Sequence, residues 1–92
     1  MTGFDDRMAR LRERFLARAG EDRLALLEAS AAGDAAAVRR VVHGLAGAGG
    51  TYGFPEVSEA AQRVEDALDE GASAEGVQPL CLELAEQLSQ LC

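Results

Sequence analysis

Apolar positions recur at three- and four-residue spacings along most of the chain, and no window alternates as a half-buried strand would. Phe4, Met8, Leu11 and Phe15 predict a first helix over residues 4–19. Leu24, Leu27 and Ala31 predict a second, about 21–32; Gly20 stands between them, although one glycine does not enforce a break. Val38, Val41, Val42, Leu45 and Ala48 predict a helix over 35–51. Val57, Ala60, Ala61, Val64 and Leu68 predict another over 55–70, and Leu80, Leu84, Leu88 and Leu91 a last one over 77–91.

The punctuation agrees with that division. Thr2 and Asp5 resemble an N-terminal capping box. Gly33 suits a helix C-terminus and Asp34 the following N-cap. Gly53 and Phe54 turn the chain, Pro55 and Pro79 fit first helical turns, and residues 71–76 form the last junction. Short junctions force neighbouring helices to be antiparallel. The expected fold is all-α: an antiparallel up-down-up-down four-helix bundle with an additional N-terminal helix, in a single domain over 1–92.

Composition narrows the function classes. The chain has 92 residues, a formal net charge of −7, nine arginines and no lysine. An acidic domain without a basic stripe argues against nucleic acid and anionic membranes as partners. The opening residues are acidic where a secretory signal is basic and then apolar, and no run approaches the roughly 20 apolar residues of a membrane span. A cytoplasmic protein is expected, and its starting methionine favours a free-standing one. Cys81 and Cys92, eleven residues apart, would sit about 16 Å apart on one helix, beyond disulfide reach. Cys81 is expected in the core and Cys92 at the surface. One histidine and two distant thiols do not make a metal site.

The candidate chemistry lies in the helix at 35–51. With Val38 at 0° and about 100° per residue, the apolar residues Val41, Val42, Leu45 and Ala48 fall within roughly 80° of it. His43, the only histidine, falls near 140°, and Gly47 near 180°. The imidazole therefore projects from the face opposite the buried stripe. Around it lie Ala36, Arg39, Arg40, Ala46, Gly47 and Gly50, with no acid among them. Glycine inside a helix costs about 1 kcal/mol relative to alanine. Gly47, one turn after the histidine, leaves the imidazole uncovered. No nucleophile–histidine–carboxylate arrangement, di-metal Glu-x-x-His pair or nucleotide-binding P-loop is present. An exposed neutral imidazole is still a nucleophile.

His43-x-Leu45-x-Gly47, followed by Gly53 and an amphipathic helix, resembles the histidine-containing phosphotransfer (HPt) domain. Gly50-Thr51-Tyr52-Gly53-Phe54 is similar to the turn of the version found in chemotaxis histidine kinases. The resemblance implies that His43 accepts a phosphoryl group, with no cofactor of its own and no ATP-binding kinase domain. It implies exchange with the aspartate of a response-regulator receiver domain, which supplies Mg²⁺, and supply from a sensor or hybrid histidine kinase. A phosphorylation-independent helical adaptor is the alternative. The family usually carries lysine three residues after the histidine, and this chain has Ala46; Arg39 and Arg40 are expected to take over part of that role. Gln62 or Glu65 is placed to orient the imidazole. The receiver is expected to dock on the solvent faces of the helices at 35–51 and 55–70. Ala36, Ala46, Gly47 and Gly50 would form a low-relief patch there; Phe54 is read first as a core residue closing the bundle end, and second as an apolar contact for the receiver. That contact should depend weakly on salt unless Arg39 and Arg40 carry it. A monomer is expected.

Overall fold

The structure, a computed structural model, describes residues 2–91, with the side chains of Thr2 and Phe4 outside the described set. The Thr2–Asp5 capping box, the Phe4 end of the first apolar stripe and Cys92 therefore lie outside the described residues. Four helices follow one another: α1 (Thr2–Ala31), α2 (Ala35–Thr51), α3 (Pro55–Asp69) and α4 (Gln78–Ser89). Each packs on the next, and α4 returns to α1, so the four close a ring around one core.

The additional N-terminal helix does not exist as a separate element. The two stripes expected at 4–19 and 21–32 belong to one continuous α1. Gly20 is exposed, and its backbone stays helical. Nothing asks the chain to bend there, because Ala19 and Leu26, on either side of it, both pack into the core. Thirty residues at 1.5 Å make about 45 Å of helix, comparable to the 46 Å long axis of the molecule.

Continuity also corrects the buried face of the second half of α1. Leu24, assigned to the apolar stripe, is 57% exposed, and Ala31 is exposed too. The phase is set by Phe15. Leu26, eleven residues later, falls about 20° from it, whereas Leu24, nine residues later, falls about 180° away. Ala19, Leu26 and Ala29 therefore face the core.

The junctions follow from the turn residues. After α1, the Gly33 N–H donates to Ser30 O at 3.1 Å and the Asp34 N–H to Ala29 O at 3.0 Å. This is the Schellman pattern, which requires the left-handed backbone that Gly33 adopts at φ 68°. Asp34 then caps α2, its Oδ1 accepting the Ala37 N–H at 3.1 Å. After α2, Gly53 has φ 89°, and the Phe54 N–H donates to Gly49 O at 2.8 Å. Pro55 and Pro79 occupy first turns, where a missing N–H costs nothing.

Small aliphatic side chains fill most of the core, including Val38, Val42, Val57, Val64, Leu84 and Leu88. Cys81 is fully buried among them. Burial pushes its thiol up from the ordinary value, partly offset by the Ser30 hydroxyl. Phe15 closes one end of the bundle. Its ring stacks on Phe54 with centroids 5.0 Å apart and meets Tyr52 at 6.1 Å. Among the described residues no helix is long and apolar enough to cross a membrane.

Candidate functional site

The site is built where α2 and α3 pack, and a close backbone approach sets their register. A Cβ on Gly49 would lie 3.1 Å from Ser58 N and 3.2 Å from Phe54 O, so only glycine lets α3 come this near. Ser58 Oγ donates to Ala46 O at 2.7 Å across the same contact. From there the pairing runs in opposite directions along the two helices. Ala46 meets Ser58, His43 meets Glu65, and Arg39 meets Asp69. Residues four apart lie on one helical face. Arg39 and His43 on α2 therefore face Asp69 and Glu65 on α3.

His43 is solvent-facing, with 77% of its side chain exposed, while the Glu65 side chain beside it is only 10% exposed. Nδ1 of His43 lies 2.7 Å from Glu65 Oε2. An ionised carboxylate only accepts hydrogen bonds, so Nδ1 carries the proton in this contact. The neutral ring then keeps its lone pair on Nε2, the outer nitrogen. The buried carboxylate also has a cation nearby. Arg39 Nη2 stands 3.9 Å from the same Oε2, while its Nη1 pairs with Asp69. One guanidinium thus bridges two acids of α3, and one of those acids holds the imidazole.

The other candidate residues separate by position. Arg40 is exposed and, with Arg39 and His43, lines a shallow open depression of about 320 Å³. Gly47 is exposed, and a Cβ there would meet nothing within 4 Å. Ala36 and Gly50 are exposed and Ala46 is half-buried. Gln62 does not reach the histidine; its amide donates to Asp66 Oδ1 at 2.9 Å, along the outer face of α3. Phe54 is engaged at the bundle end, stacked on Phe15.

Three residues of the site's framework escaped the sequence reading. Asp69 holds Arg39, and Ser58 ties α3 to α2. Arg12 Nε donates to Tyr52 O at 3.0 Å, joining α1 to the turn after α2. A signal for the first was present. The acids Glu65 and Asp69 repeat the four-residue spacing of Arg39 and His43, as two facing helices with complementary charges would. No comparable pattern marks Ser58 or Arg12. Among the described residues no group of three or more His, Cys, Asp or Glu side chains converges on a possible metal position.

Comparison with known proteins bears on this arrangement. A family model described as "Hpt domain" matches residues 10–92. The fold is similar to the crystal structure of the HPT domain from the Hpt sensor hybrid histidine kinase of Shewanella, at 1.80 Å. The TM-score is 0.82 and the sequence identity 26%, over 89% of this chain and 70% of that one. No curated protein matches the chain.

Proposed function

Because this chain belongs to the Hpt domain family, the phosphotransfer modules of two-component signalling, we propose that His43 is its phosphoryl acceptor and that Nε2 is the bonding atom. The observation that carries this reading is the 2.7 Å contact between Nδ1 and the buried Glu65, which leaves Nε2 as the outward, unprotonated nitrogen. A nucleophile needs that lone pair and an open approach, and the ring is largely exposed above Gly47.

The partner in the exchange is the phosphorylated aspartate of a response-regulator receiver domain. Nε2 attacks phosphorus, the P–Nε2 bond forms, and the acyl P–O bond breaks with the aspartate leaving as carboxylate. The proton on Nδ1 stays where it is. Phosphorylation gives the ring a positive charge that the neighbouring Glu65 carboxylate offsets, so Glu65 acts as a positioning residue. The reverse reaction returns the group to a receiver. Mg²⁺ is supplied by the receiver, and a sensor or hybrid histidine kinase is the original source of the phosphoryl group.

Incubation with phosphoramidate, and with a phosphorylated receiver, tests this reading. Wild-type protein should acquire an acid-labile, base-stable label. His43→Gln should abolish it while leaving the helical circular dichroism unchanged. Label retained in that variant would overturn the assignment. A wild-type protein that binds the receiver but never takes up label would instead be a phosphorylation-independent adaptor.

A further inference from the structure

A phosphoryl group on His43 would bring roughly two negative charges to the surface of a chain that already carries −7 and contains no lysine. Two guanidinium groups stand beside the ring, and their surroundings differ. Arg39 is committed to Asp69 and lies near the Glu65 carboxylate. Arg40 has no hydrogen bond or ion pair among the described residues. It is exposed and shares with His43 the open depression above α2.

Resting on the reading of His43 as acceptor, we propose that Arg40 binds the phosphoryl oxygens on Nε2, while Arg39 serves as a positioning residue that holds the α3 acids. The direction of side chains on a helix supports this division. Each Cα–Cβ bond tilts towards the N-terminus, so the ring of His43 leans over the preceding turn. Arg40, three residues earlier, lies in that turn. The position three residues after the histidine is filled by Ala46, which offers no charge and whose carbonyl is taken by Ser58. A guanidinium presents a fork of N–H donors that matches two phosphoryl oxygens at once. No acid on α2 competes for Arg40, and Glu65 and Asp69 across the interface already face Arg39. A partner approaching from the C-terminal side crosses Gly44 and Gly47, where added Cβ atoms would meet nothing within 4 Å. Arg40 then closes the opposite side of the phosphoryl group.

The test compares wild type, Arg40→Ala, Arg40→Lys and Arg39→Ala, with phosphoramidate as donor. For Arg40→Ala the initial labelling rate should fall about three- to tenfold, the scale of one or two exposed charge-assisted hydrogen bonds. The ³¹P shift of the phosphohistidine should move, Arg40→Lys should restore part of the rate, and the ring ¹⁵N shifts of the unphosphorylated protein should stay as in wild type. Arg39→Ala should instead move those ring ¹⁵N shifts, because it disturbs Glu65. Equal labelling of wild type and Arg40→Ala, with the same ³¹P shift, would overturn the role of Arg40 while leaving the acceptor in place. A wild-type protein that takes no label would remove the acceptor reading and this inference with it.

Discussion

Gly47 and Gly49 are two residues apart in one helix and have opposite surroundings. Gly47 opens on solvent, whereas Gly49 is pressed against the backbone of α3 at Ser58. Gly47→Leu should leave the protein folded, since leucine is favoured over glycine in a helix by somewhat under 1 kcal/mol. It should nevertheless obstruct the receiver and suppress transfer by an order of magnitude or more. Gly49→Ala should do the reverse at the level of stability. Its methyl has no flexible side chain to displace, so α2 and α3 must separate, at a cost of about 1–3 kcal/mol. Urea unfolding alongside transfer kinetics separates the two. A Gly47→Leu variant with normal transfer, or a Gly49→Ala variant of unchanged stability, would contradict these assignments. The helical phase of His43 was legible in the sequence, because one turn angle places it off the apolar stripe. The difference between the two glycines was not, because it depends on where the backbone of another helix passes.

The elements were legible where an apolar stripe ended in a turn with its own chemistry. Gly33–Asp34, Gly53–Pro55 and Gly71 with Pro79 each combine a residue suited to ending one helix with one suited to starting another. Gly20 has no such partner, and α1 runs through it. The same continuity explains why Leu24 was misplaced: a stripe restarted after Gly20 loses the phase that Phe15 imposes. A helical, exposed glycine with open space at its Cβ position is a site where alanine should stabilise the protein. Gly20→Ala is expected to add about 0.5–1 kcal/mol in urea or thermal unfolding, without changing phosphotransfer. A loss of stability would mean that α1 bends at Gly20 in solution.

Across the whole molecule the charge is unevenly placed, and this bears on docking. α2 carries Arg39 and Arg40 with no acid, α1 balances its arginines with acids, and α3 and α4 are net acidic. In a chain of −7, α2 is thus the helix that an acidic phosphoaspartate pocket can approach without repulsion. Gln62 and Asp66 are bonded to each other on the outer face of α3, so the α3 half of the proposed docking surface would be polar. With Phe54 stacked on Phe15, the exposed charges of Arg39 and Arg40 weigh more in a contact at this face, the case in which the expected salt dependence is not weak. Exposed charges a Debye length or more apart are screened near physiological salt. Raising salt from about 50 to 200 mM should therefore slow receiver association severalfold, and Arg40→Ala should reduce that dependence. NMR titration with a cognate receiver should shift amides around His43 on α2, from Arg39 to Thr51, together with exposed positions on α3 such as Gln62 and Asp66. α4 packs on α1 and α3 rather than on α2, so its outer face should remain silent. Shifts confined to α1 or α4 would place the docking surface elsewhere, and an association rate indifferent to salt would remove electrostatic steering by α2 even if the footprint is correct.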